Sequence, residues 1–158
     1  MDAALRSRVL EVYAAVDAAV AAENPRCEAS GRCCRFTEYG HTLFLSAFEA
    51  DILLESAPVY AKPVTRDFCP FQVEGLCTAR ESRPLGCRIY FCDPGYQDKQ
   101  NAITETAVAK LKHLADEFDA GWNYAPLHVM LNAAETRICE PIPKCDGSRI
   151  ALSVLTDL

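Results

Sequence analysis

Residues 69–92 read Cys69-Pro-Phe-Gln-Val-Glu-Gly-Leu-Cys77-Thr-Ala-Arg-Glu-Ser-Arg-Pro-Leu-Gly-Cys87-Arg-Ile-Tyr-Phe-Cys92. Few apolar positions here recur with a helical or strand period. The surrounding segment 57–97 also carries Pro58, Pro63, Pro70, Pro84 and Pro94, five of the nine prolines. A stretch with so little core of its own needs another organiser, and a bound metal is one. Cys69 to Cys77 reads as a small hairpin with Glu74-Gly75 at the bend, which brings the two thiols together at its open end. Thr78-Ala-Arg-Glu81 has the form of a capping box and predicts one helical turn before Pro84.

Upstream lies a second group, Cys27-Glu-Ala-Ser-Gly-Arg-Cys33-Cys34, with three thiols in eight residues and Gly31 to permit a tight turn. Seven of nine cysteines thus fall between Cys27 and Cys92. Thiolates are soft, charged donors for zinc and iron, and three local groups converging on one point assemble a thiolate site. The adjacent Cys33 and Cys34 are expected to differ in role. A buried cysteine often acts as a small hydrophobe, but that reading does not account for clustering. His41 is a possible extra ligand, as a Cys3His site needs one. Cys139 and Cys145 form a further loop pair that could complete the main site, hold a second metal or do neither.

Outside the cysteine region the pattern is helical. Leu5, Val9, Val12, Val16 and Val20 make one apolar stripe over 3–22, stopped at Asn24-Pro25. Ser46-Ala-Phe-Glu49 is a capping box that predicts a helix over 47–56 ahead of Pro58. Ile103, Ala107, Leu111, Leu114 and Phe118 share a face over 98–120, with Gly121 as the C-cap. Pro126 opens a third helical stretch with Leu127, Met130, Leu131 and Ala134 inward. Residues 36–45, rich in aromatic and β-branched side chains, predict one or two short strands turning at Gly40. The tail from Glu140 reads as irregular, with a short strand or helical end at 150–155. The fold class is therefore mainly α, in one domain, with a cysteine-rich, loop-rich metal-binding region over 26–93 and minor β hairpins.

The whole chain has 158 residues and a net charge of −6. Nucleic-acid binders are more often basic, so the balance points away from DNA or RNA. No apolar run is long enough for a membrane span and no signal-peptide pattern opens the chain. Free thiols then suggest the cytosol, and an odd cysteine count disfavours a fully paired disulfide framework. Eleven arginines are present. Nine of them, Arg26, Arg32, Arg35, Arg66, Arg80, Arg83, Arg88, Arg137 and Arg149, lie within four residues of a cysteine. Guanidinium groups offset thiolate charge and pin loops; the alternative is an anion pocket, and Arg83 and Arg88 lead for either role.

The motif order resembles the zinc- or iron-chelating domain of the YkgJ-like cysteine-cluster proteins, marked by CxxCxxCC. Cys27…Cys33-Cys34 matches that motif, Cys69-Pro-Phe and Gly75-Leu-Cys77 a downstream pair, and Arg83-Pro-Leu-Gly-Cys87-Arg88 an R-P-x-x-C block. The similarity spans residues 26–93 and departs at Ser30, where the family carries a cysteine. It implies metal binding through Cys27, Cys33, Cys34, Cys69, Cys77 and Cys87; either the Ser30 position is not an essential ligand or the site is rearranged with Cys92, which the cysteine cluster itself adds to the candidate ligands. An iron–sulfur cluster is favoured over zinc, because the thiols outnumber what one zinc needs and histidine is scarce. Two further roles remain open: an enzyme using the cluster in redox or group-transfer chemistry, and a thiol redox sensor or interaction module. No glycine-rich nucleotide fingerprint accompanies the cysteines.

Overall fold

The structure is a computed structural model, and it describes residues 1–134. Helix α1 (Ala3–Glu23) starts where the Asp2 carboxylate accepts from the Ala4 and Leu5 amides at 2.9 and 3.0 Å. It ends on Asn24 in the left-handed conformation, and Pro25 cannot extend it. The expected stripe Leu5, Val9, Val12, Val16, Val20 is buried, joined by Tyr13. A 3-10 turn at Arg32–Cys34 follows, then strand β1 (Phe44–Ser46).

Helix α2 (Ala47–Ser56) has the predicted capping box: Ser46 Oγ accepts from the Glu49 amide, and Glu49 Oε2 accepts from the Ser46 amide at 2.8 Å. Between α2 and the next helix the regular structure is the hairpin β2 (Gln72–Val73) and β3 (Leu76–Cys77), turning at Glu74-Gly75 as predicted. Helix α3 (Leu85–Ile89) begins after Pro84. The helical turn expected at 78–81 is absent; Pro84 stands just ahead of the first helical residue, where its fixed φ suits entry into a helix.

Helix α4 (Gln97–Glu117) buries Ala107, Leu111, Leu114 and Ala115, with Ile103 and Phe118 packed alongside. Its stop differs from expectation. Asp119 (φ 49°) takes the left-handed position at the helix end, two residues before Gly121, itself at φ 65°, and the Ala120 amide reaches back to the Ala115 carbonyl at 2.9 Å. Aspartate tolerates this conformation better than most side chains. Strand β4 (Tyr124–Pro126) leads into α5 (Leu127–Ala133), which buries Leu127, Met130 and Leu131. The strand expected at 36–45 narrows to β1, because residues 35–41 coil into successive turns, with Gly40 at φ 66°. The partner of β1 is β4, antiparallel, with Leu45 opposite Ala125.

The chain is thus mainly helical with two small antiparallel sheets. One apolar cluster joins α1, α3 and α4; the other joins β1, α2, α5 and the loops around Cys34, Tyr60 and Phe71. Among the described residues no helix is long and apolar enough to cross a membrane. The expectations for Cys139, Cys145, Arg137, Arg149 and the 150–155 segment lie outside the described residues.

Candidate metal centre

Three ties draw the cysteine groups together. The Cys69 amide donates to the Cys34 carbonyl at 2.8 Å. Gln72 Nε2 donates to the Gly31 carbonyl at 2.8 Å, fastening the first loop to the hairpin. The Arg26 amide donates to Asp93 Oδ2 at 3.0 Å, fastening the residue before Cys27 to the residue after Cys92. Gly31 can serve because φ is 69° and a β-carbon there would collide with Gln72 Nε2 and sit 3.0 Å from the Gly75 carbonyl.

The outcome is one cavity of about 360 Å3 lined by all seven cysteines, Cys27, Cys33, Cys34, Cys69, Cys77, Cys87 and Cys92. All seven are free thiols. Cys34 and Cys69 are buried in the core, Cys77, Cys87 and Cys92 are half-buried, and Cys27 and Cys33 are exposed. Cys33 and Cys34 Sγ lie 3.9 Å apart. That is close to the about 3.8 Å edge of a tetrahedron built on Zn–S bonds of about 2.3 Å. As the side chains stand, no three Cys, His, Asp or Glu groups among the described residues converge tightly enough to hold one ion.

Three of the thiols, Cys33, Cys34 and Cys87, are pushed toward the neutral form. Cys33 is pushed up by its hydrogen bond to Cys34 and by burial. In Cys34 the bond to Cys33 pulls down, but the bond to Cys69, burial and the nearby Cys69 and Cys77 outweigh it, raising the thiol to about 12. Burial raises Cys87 too, and Cys34, Cys33 and Cys77 add to it while Arg83 opposes. Several thiols crowded together cannot all ionise without a cation between them. Soft donors in that state suit zinc or an iron–sulfur core, which displaces their protons.

The arginines divide. Arg32, Arg80 and Arg83 line the cavity. Arg88 does not: Nη1 meets Asp17 Oδ2 at 2.6 Å, the guanidinium lies 4.4 Å over the Tyr13 ring, and Nη2 donates to the Glu81 carbonyl. It joins α3 to α1. Sequence reasoning named Arg32 and Arg80 among the nine arginines near cysteines but ranked Arg83 and Arg88 first; adjacency to a cysteine does not say which way a side chain points. His41 stacks on Tyr90 at 4.8 Å and lies off the lining. Its Nε2 is 3.3 Å from the Cys33 carbonyl oxygen, and its buried Nδ1 has no hydrogen-bond partner among the described residues.

Fold and site together define a mainly helical protein with a thiol-lined cavity. Comparison with family models, curated proteins and solved structures returned no match.

Proposed function

We propose that this chain is a metal-binding protein that holds an iron–sulfur cluster, or else zinc, in the seven-cysteine cavity, in a reducing compartment such as the cytosol. The observation that supports this reading is the convergence of three separated cysteine groups on one cavity. Cys33, Cys34, Cys69, Cys77 and Cys87 are the preferred ligands, since each lies close enough to another thiol of this set to shift its ionisation. Cys27 and Cys92 would serve at the rim. An iron–sulfur core takes four cysteines and supplies one-electron transfer. The YkgJ-like motif order points to the same chemistry.

Anaerobic purification with elemental analysis and an absorption spectrum tests it. A brown protein with iron, acid-labile sulfide and absorption near roughly 400 nm supports the cluster. A colourless protein with one zinc supports the second form. Metal-free protein with an intact fold sinks both. Cys87→Ser should lose metal and, if the site is structural, lose the cooperative fold with it.

A further inference from the structure

Among the described arginines, Arg6, Arg8, Arg26, Arg35 and Arg88 each meet a carboxylate. Of the four that do not, Arg32, Arg80 and Arg83 all line the thiol cavity, and Arg66 does not. This occurs in a chain with 22 acidic side chains against 16 basic ones. Among the described residues the cavity's one carboxylate is Glu28, which faces Arg26 at 3.5 Å. Within the described part of this acidic protein, the cavity arginines thus stand without carboxylate counter-ions.

The rest of the wall is apolar, including Leu43, Leu53, Phe71, Tyr90, Phe91 and Leu127. The volume, about 360 Å3, falls in the range of small-molecule sites, roughly 300–1,000 Å3. One zinc ion with bonds of about 2.3 Å to sulfur leaves most of that space free. Arg83 Nε donates to the Arg80 carbonyl at 3.1 Å, which orients its fork while leaving both terminal nitrogens available. Arg80 is exposed at the rim and its side chain makes no hydrogen bond among the described residues. A guanidinium fork is shaped for a carboxylate or phosphate.

We propose that the cavity binds a small organic oxyanion, its head group on Arg80 and Arg83 and its apolar body against Phe71, Tyr90 and Phe91, beside the thiols. The inference rests on the proposed metal reading only in that the thiol-bound group leaves the arginine end of the cavity open, as a single zinc ion does.

The test titrates the protein as purified, its metal content recorded, with phenyl phosphate, benzoate and inorganic phosphate by calorimetry. Phenyl phosphate or benzoate should bind saturably, and the tighter of the two identifies the head group. It should bind about tenfold or more tighter than inorganic phosphate, because only it covers the apolar wall. Arg80→Gln and Arg83→Gln should each weaken it about tenfold or more with metal content unchanged. Arg66→Gln should bind as the parent does. Arg80→Gln removes no hydrogen bond of the fold, so its result stands even if Arg83→Gln misfolds. Absence of saturable binding by all three probes overturns the proposal, as does binding that the arginine variants leave intact. Inorganic phosphate binding as tightly as the organic probes overturns the organic part. Loss of metal in Arg80→Gln also overturns it, because the arginines would then be charge compensators for thiolates. Anion binding in a metal-free protein would sustain this inference while defeating the metal reading.

Discussion

Glu49 is the one charged side chain that the described fold buries, at 1% exposure. Its carboxylate accepts from the Ser46 amide at 2.8 Å, Ser46 Oγ at 2.9 Å, the Leu85 amide at 2.9 Å and Tyr13 hydroxyl at 3.3 Å. One side chain therefore caps α2, anchors the start of α3 and touches α1, and α3 carries Cys87. Glu49→Ala would strand these donors in the interior and should destabilise the protein by about 3–5 kcal/mol in urea unfolding. Burial raises the Glu49 carboxyl above its ordinary value, against the hydrogen bonds from Ser46, Leu85 and Tyr13. A raised folded value means the folded state holds the proton better. The stability gained is present below about pH 4.3, the unfolded value, and is lost as pH rises through the folded one. Glu49→Gln does not titrate, so the parent's advantage over it should shrink between pH 4.5 and 7. A gap that widens over that range would contradict this account.

At the scale of elements, the cysteine loop and the hairpin meet through Gly31. Its φ of 69° and the crowding by Gln72 and Gly75 make Gly31→Ala doubly unfavourable. Gly40 has a similar φ, 66°, with nothing near the place of a β-carbon. Gly40→Ala should cost about 1 kcal/mol of strain, and Gly31→Ala about 2–4 kcal/mol, because steric displacement adds to that strain. Thermal unfolding of the pair checks the ranking. Arg88 is the corresponding link between α3 and α1, bonded to Asp17 and stacked on Tyr13. Arg88→Ala should destabilise by about 1–3 kcal/mol, and because Arg88 Nε donates to the Arg83 carbonyl at 2.8 Å it should also weaken oxyanion binding, by less than Arg83→Gln does. An equal loss of anion binding would show that the placement of the Arg83 loop by α3 governs the cavity.

Across the whole molecule the cavity adjoins both apolar clusters. Leu43, Leu53 and Leu127 reach it from one side, and Phe91, packed against the α1–α4 cluster, from the other. The segment between α2 and α3 has a short hairpin and little other regular structure, so a metal there should stabilise that region above all. Chelation should speed hydrogen exchange of the Cys69 and Thr78 amides, which are bonded to the Cys34 and Phe71 carbonyls, by about tenfold or more. Amides around Val9 and Leu111, buried between α1 and α4, should change little. Uniform acceleration would mean that the site holds up the entire fold.

The long helices were legible in the sequence because their signals are local. A 3.6-residue stripe, Asp2 and Ser46 caps and well-placed prolines each act within a few residues, and α1 and α2 fall where these signals put them. The hairpin turn at Glu74-Gly75 was legible for the same reason. Other features depended on distant partners. β1 pairs with β4 across about eighty residues, and no spacing rule at 36–45 announces that strand. The α4 stop came at left-handed Asp119, two residues ahead of Gly121, which is left-handed as well. Cysteine density by itself marked a candidate site but could not say that all seven thiols share a cavity. Nor could it show that Arg32 and Arg80 face inward while Arg88 turns to Asp17. Local chemistry is written in the order of residues; direction and convergence come from packing, which only the folded chain decides.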